Sequence, residues 1–132
     1  MILGINHIGI AVKSIDGALS AFNKIFNTVD VHSEELPDRK IKIASMRINE
    51  SSIEFIESAG IDSAIAKFIE KRGEGIHHIA FTVKGIDGIL KQLKDNGVPL
   101  VDEVSRPGAH GTKVAFLHPS GTNGVLIELC EP

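Results

Sequence analysis

Residues 4–19 read GINHIGIAVKSIDGAL, and residues 75–90 read GIHHIAFTVKGIDGIL. Ten of these 16 positions are identical at a constant offset of 71, which places His7 on His78. Self-similarity of this kind marks an internal duplication. The fold is therefore expected to be built from two copies of one unit.

A second match lies at the other end of each copy, where residues 53–57 align with residues 127–131 and Glu54 falls on Glu128. Repeats of about 65 residues bury too little surface to be stable alone, so both should pack into one domain. The expected parts of this single domain, residues 1–132, are repeat one at about 1–60, a linking helix at about 61–73 and repeat two at about 74–132.

Each repeat shows the same order of predicted elements, a strand, a helix and three further strands. Ser14 is a possible N-cap of the first helix, Asn96-Gly97 ends the second, and Asp62 caps a linking helix predicted over residues 62–72. The predicted strands are at about 2–12, 28–34, 40–48, 51–57, 75–83, 98–104, 112–118 and 124–130.

Composition narrows the function classes. Apolar residues make up 42% of the 132 residues and charged residues 23%, as in a globular domain. No apolar run is long enough for a membrane span, and Met1 leads into a strand-like stretch without a basic segment, so we expect no signal peptide. The single cysteine, Cys130, excludes an intramolecular disulfide and fits a cytoplasmic location. A net charge of −3 without a basic block argues against nucleic acid.

Strand alternation gives the two aligned histidines similar surroundings. His7 shares its face with Gly9 and Ala11, and His78 shares its face with Ala80. Small neighbours beside a polar side chain leave room for a ligand.

The two aligned glutamates lie in apolar strands, where a carboxylate is costly to bury unless it is paired or binds a metal. Two imidazoles and two carboxylates suit a divalent cation such as Zn, Co, Ni, Mn or Fe. Four protein ligands could leave two octahedral positions for a substrate that chelates through neighbouring oxygens. A single His or Glu in a strand is more often solvated or hydrogen-bonded than a metal ligand. The occurrence of both types at matching positions of the two repeats favours the metal hypothesis.

Other candidate residues are weaker. His77 has the wrong register for the pocket, and His32 is expected to be solvated. His110 and His118 lie in or beside loops, where substrate contact and a plain turn role both remain open. Cys130 is expected to be buried as a small apolar residue.

The duplicated modules with His and Glu ligands resemble the vicinal oxygen chelate superfamily and, within it, the methylmalonyl-CoA epimerase family. The matching segments, which span nearly the whole chain, are HIGIAV (7–12), IAKFI (65–69), EGIHHIAF (74–81), RPGAHG (106–111), KVAFLHP (113–119) and GVLIEL (124–129). The resemblance implies an α+β fold in which two tandem βαβββ modules form one incomplete, eight-stranded, barrel-like sheet around a metal site.

The resemblance also implies roles for individual residues. His7, His78 and Glu128 take the places of metal ligands, and Glu54 takes the fourth, where some epimerases have Gln. One divalent ion per chain (Co, Zn, Ni, Mn or Fe) is implied. The implied activity interconverts (2R)- and (2S)-methylmalonyl-CoA through an enediolate, with Glu128 as the first choice of base. Some family members carry a further Glu close to the place of Ile43, so the second acid/base is left open between Glu54, a water and another group.

The implied partners are a small-molecule acyl-CoA substrate and a second copy of the chain in a homodimer. Two alternatives remain. A glyoxalase I-like lactoylglutathione lyase would share the metal site, the enediolate and the proton shift, whereas a non-catalytic binding protein would hold a small ligand without exchanging its protons.

Overall fold

The computed structural model describes residues 2–26 and 30–132, in which strands and helices alternate as the duplication predicts. The elements are β1 (Ile2–Val12), α1 (Ile15–Phe26), β2 (Val31–Leu36), β3 (Ile41–Ile48), β4 (Ser51–Ser58), α2 (Ala64–Arg72), β5 (Gly75–Val83), α3 (Ile86–Asp95), β6 (Arg106–Pro107), β7 (Lys113–Leu117) and β8 (Ile127–Glu131). Hydrogen-bonded neighbours follow the order β2-β3-β4-β1-β5-β8-β7-β6 in one sheet. The α+β class, the order βαβββ in each repeat and the eight strands are thereby confirmed. None of the helices in the described ranges is long and apolar enough to span a membrane.

The chain divides into two compact units, which we call the first unit (residues 2–7 with His78–Pro132) and the second unit (Ile8–His77). Both boundaries fall beside a histidine, within β1 and within β5. The units therefore do not coincide with the sequence repeats. The single-domain organisation and its repeat boundaries remain predictions.

The core of the first unit forms where α3 packs on β7 and β8. Its buried residues are Val83, Ile86, Leu90, Ala115, Leu117 and Leu129. The helix ends at Asp95 and is followed by Gly97 at a φ of 77°, as the Asn96-Gly97 signal predicts. At its start, the backbone N–H of Ile86 donates to Glu131 Oε1 at 2.7 Å, so that a carboxylate stabilises the positive end of the helix.

The second unit repeats this arrangement with α1 and β4. Its buried core residues are Val12, Met46 and Phe55, and the apolar face of α1 packs against them. The Ile15 N–H donates to Glu57 Oε1 at 2.8 Å, which is the counterpart of the bond at the start of α3. Ser14 also accepts from Gly17 N–H at 3.1 Å, which fits its predicted role as N-cap.

Two local predictions are wrong. The N-cap of α2 is Ser63, one residue after the predicted Asp62, and its hydroxyl accepts from Ala66 N–H at 3.0 Å. The Asp62 carboxylate instead pairs with Lys40 at 2.6 Å. The strand predicted over residues 98–104 is reduced to one isolated bridge between Leu100 and Leu117, and the corresponding strand of the sheet is β6 (Arg106–Pro107).

The cause of this second difference lies in Asp102. Its carboxylate accepts the Phe116 N–H at 2.8 Å, in place of a backbone carbonyl. The Phe116 carbonyl in turn accepts from both Val101 and Asp102, so a regular ladder cannot continue. The strand predicted over residues 28–34 begins at Val31, and its first two positions lie outside the described residues.

Candidate metal centre

Three of the four predicted ligands converge in the first unit, on β1, β5 and β8. Nε2 of His7 lies 3.0 Å from Nε2 of His78, and each of these nitrogens lies 3.5 Å from a different oxygen of Glu128. The three side chains offer ligand atoms that all lie within 4.8 Å of one another. All three residues are buried, with 4%, 4% and 5% of their surface exposed. Two imidazole nitrogens and a carboxylate this close together form a donor set that fits a divalent ion.

Electrostatics keep His7 neutral. Burial, and then the charge of His110, lower the pKa of His7 from 6.5 to about 4. A neutral imidazole has one nitrogen with a free lone pair, which is the form that binds a metal. His7 is therefore available as a ligand at neutral pH without first losing a proton.

Aromatic contacts fix the orientation of the histidine rings. The rings of His7 and His78 meet edge to face with centroids 5.1 Å apart, and His78 meets Phe116 in the same way at 5.4 Å. Phe116 is directly opposite Glu128 in the β7–β8 pair, and the Arg106 guanidinium lies over its ring at 5.8 Å. The ligands are thus held by packing that sequence patterns did not reveal.

A polar contact holds His7 from its other side. Nδ1 of His7 lies 2.8 Å from Asn6 Oδ1, and Asn6 Nδ2 donates to Thr82 Oγ1 at 3.1 Å. Strand alternation puts Asn6 on the face of β1 opposite His7, so the sequence pattern does not place it at the site. The available signal was a lone amide in an otherwise apolar strand face.

Glu54, the fourth predicted ligand, lies on β4 in the second unit with 5% of its surface exposed. Burial, and then the charge of Glu34, raise the pKa of Glu54 to about 7. Its cross-strand partner on β3 is Ser45, and Ile43 on the same strand is opposite Glu34. Position 43, where some family members carry a Glu, is Ile in this chain. By strand register, the acidic residue nearest to Ile43 is Glu34. The role of Glu54 as ligand remains a prediction.

His77, His118 and Cys130, three of the weaker candidates, each lie in a different local environment. His77 packs edge to face on Phe68 in the second unit at 5.0 Å, and burial lowers the pKa of His77. His118 caps a short 3-10 turn, where its Nδ1 accepts from Ser120 N–H at 3.0 Å. Cys130 is buried, as expected.

The family model described as "Glyoxalase/Bleomycin resistance protein/Dioxygenase superfamily" matches residues 6–116. The chain belongs to this superfamily. The match covers most of the chain and includes His7 and His78, so the resemblance stated from the sequence is confirmed.

Relatives within the superfamily narrow the comparison. The chain is 41% identical to the Bacillus subtilis "Uncharacterized protein YqjC", over 97% of this chain and 91% of the relative. It is 33% identical to the "Ethylmalonyl-CoA/methylmalonyl-CoA epimerase" of Cereibacter sphaeroides, over 98% of each. A solved structure of methylmalonyl-CoA epimerase in complex with methylmalonyl-CoA and NH4+ matches with a TM-score of 0.95 and 31% identity, over 99% of this chain and 95% of that chain. Relatives that match over nearly their full length thus include methylmalonyl-CoA epimerases, which are isomerases.

Proposed function

We propose that the protein is a metal-dependent epimerase that interconverts (2R)- and (2S)-methylmalonyl-CoA by proton transfer at C2 through an enediolate. The observation that carries the proposal is the buried convergence of His7, His78 and Glu128, whose ligand atoms lie within 4.8 Å of one another. The choice of substrate is supported by the similarity of nearly the whole chain to a methylmalonyl-CoA epimerase whose structure contains methylmalonyl-CoA.

In this proposal one divalent ion (Co, Zn, Ni, Mn or Fe) is held by His7, His78 and Glu128, with Glu54 as the fourth ligand because it is the repeat counterpart of Glu128. A bound ion supplies Lewis-acid stabilisation of the negative charge that develops on the substrate oxygens. The edge-to-face packing of His78 on Phe116 keeps the imidazole in place. Burial of the ligands excludes water, which strengthens electrostatic interactions with the developing charge.

Epimerisation needs one group to take the C2 proton and another to return a proton on the opposite face. We assign the first role to Glu128. Glu54 is our choice for the second, because it is buried and is the repeat counterpart of Glu128. The proposed partners are an acyl-CoA and a second copy of the chain in a homodimer, and the proposed location is the cytoplasm.

The test is proton exchange at C2 of methylmalonyl-CoA in deuterium oxide with metal-loaded protein, compared with the turnover of methylglyoxal and glutathione. We expect deuterium to enter methylmalonyl-CoA and the two epimers to equilibrate, with far slower formation of lactoylglutathione. Glu128→Gln should reduce exchange by roughly 10² or more, the scale of general-base catalysis. Calorimetric metal titration of the same samples separates a lost base from a lost metal.

Rapid formation of lactoylglutathione without deuterium in methylmalonyl-CoA would reject the epimerase proposal in favour of a lyase. Binding of acyl-CoA with no exchange at all would indicate a binding protein. If Glu54→Gln abolished exchange while metal-loaded Glu128→Gln retained it, the two glutamates would have the opposite roles.

A further inference from the structure

A histidine binds a metal through only one of its nitrogens, and the proton must then reside on the other. Which nitrogen carries the proton in a neutral imidazole is set by the hydrogen-bond partner of the non-ligating nitrogen. In the first unit, the Nε2 atoms of His7 and His78 face each other at 3.0 Å and face Glu128. The question for His7 is therefore what holds the proton on Nδ1.

The partner of Nδ1 is Asn6, at 2.8 Å from its Oδ1. An amide oxygen only accepts hydrogen bonds, whereas the amide nitrogen only donates them. With Oδ1 against the ring, Nδ1 must carry the hydrogen and Nε2 keeps its lone pair. A reversed amide would place N–H groups against Nδ1, move the ring proton to Nε2 and block metal binding by that nitrogen.

Thr82 on β5 decides the orientation of the amide. The Nδ2 of Asn6 donates to Thr82 Oγ1 at 3.1 Å, which leaves Oδ1 directed at His7. Asn6 and His7 leave β1 on opposite faces by alternation, yet this hydrogen bond connects their side chains. The three residues form a chain from a hydroxyl on β5, through an amide, to the ring.

The repeat offers an internal comparison. The counterpart of Asn6, one residue before His78, is His77, whose ring packs against Phe68. This is one of the six positions at which the two 16-residue segments differ, since ten of 16 are identical. An amide was therefore not required at this position by the strand as such.

We propose that Asn6, anchored by Thr82, is a positioning residue that holds the neutral His7 ring in the Nδ1–H form and so presents Nε2 to the metal. This inference rests on the proposed metal site. It does not depend on which substrate the protein acts on.

The experiment uses the 132-residue chain, labelled with ¹⁵N. The metal probe is Zn²⁺. Long-range ¹H–¹⁵N correlation spectra of chelator-treated protein report which ring nitrogen of His7 carries the proton, and calorimetry reports Zn²⁺ affinity. Asn6→Ala should lose the Nδ1–H signature and weaken Zn²⁺ binding by about 10- to 100-fold, the usual cost of removing such a partner. Asn6→Asp keeps an acceptor at the same distance and should retain both.

Two further variants sharpen the result. Thr82→Val preserves the side-chain shape but removes the hydroxyl that anchors the Asn6 amide, so it should also weaken the Nδ1–H signal of His7. This variant tests the inference if Asn6→Ala fails to fold. His77→Ala, at the counterpart position, should leave the His7 signature unchanged. Thermal unfolding of each metal-free variant confirms that a fold is present.

An unchanged Nδ1–H signature and unchanged Zn²⁺ affinity in Asn6→Ala would overturn the inference. So would an equal loss in Asn6→Ala and Asn6→Asp, because the acceptor would then be irrelevant. A protein that shows the predicted signatures but exchanges no substrate proton would reject the proposed function and leave this inference intact. If Asn6→Ala still exchanges the substrate proton and keeps full Zn²⁺ affinity, the inference is rejected and the proposed function stands.

Discussion

Glu54→Gln should change the pH dependence of stability in metal-free protein, and the size of the change follows from the burial of this carboxyl. The pKa of Glu54 rises from 4.5 to about 7 in the fold, chiefly because burial disfavours its charged form. Between these two values the folded state holds a proton that the unfolded state has lost. The free energy of unfolding therefore falls as pH rises through this window, by about 3 kcal/mol in total.

His7 contributes a slope of opposite sign in nearly the same window. The pKa of His7 is lowered from 6.5 to about 4, so between these values the unfolded state binds the extra proton and stability rises with pH. In the wild type the two slopes largely cancel between pH 4.5 and 6.5. Glu54→Gln removes one of them, and the stability of the variant relative to wild type should increase by about 3 kcal/mol from pH 4.5 to pH 7.

Urea unfolding in the presence of a chelator measures this difference at each pH. The chain has neither Trp nor Tyr, so far-ultraviolet circular dichroism is the suitable signal. Subtracting the two curves cancels every ionisable group that both proteins share. Glu50→Gln, at an exposed site in the turn after β3, is the control for the loss of one charge. Parallel curves for wild type and Glu54→Gln between pH 4.5 and 7 would refute the reasoning, because Glu54 would then be charged in the fold.

The remaining predictions concern the helix starts and the register of the ligands. Glu57→Gln and Glu131→Gln should each lower the free energy of unfolding by about 1 kcal/mol, since each carboxylate accepts a backbone N–H at the start of a helix. Urea unfolding measures both losses, which should be similar. If neither variant loses stability, the carboxylates do not stabilise the helix starts. His78→Ala should abolish Zn²⁺ binding in calorimetry, whereas His77→Ala should retain it. Loss of binding in His77→Ala alone would show that the register is one residue wrong.

Much of the fold was predictable because the duplication repeats every structural signal. Alternation along β1 and β5 gave His7 and His78 the same face, and in the structure their Nε2 atoms lie 3.0 Å apart. Glu128 joins them because β8 pairs with β5 in a register that sets it beside Ala80. A repeat copies the hydrophobic pattern and the turn residues, and these are what determine strand order and face.

The remaining features depend on side-chain hydrogen bonds that no periodicity encodes. Asp102 replaces a backbone acceptor for Phe116, which prevents the strand predicted over residues 98–104 from forming a regular ladder. Asn6 reaches His7 across the alternation rule. In both cases a short polar side chain competes with the regular backbone pattern, and such competition is decided by tertiary neighbours.

The duplication treats Glu54 and Glu128 as equivalents, yet their surroundings differ in charge. Glu128 faces two imidazoles, which can share a cation with it, whereas the strongest charge acting on Glu54 is another carboxylate, that of Glu34. A neighbouring negative charge and burial both favour the protonated form of a carboxyl. Epimerisation requires one group that removes a proton and one that supplies it, and two carboxyl groups in different environments are typical of such paired roles. Under the proposed function, this difference between the two environments supports Glu128 as the group that removes the proton and Glu54 as the group that returns one.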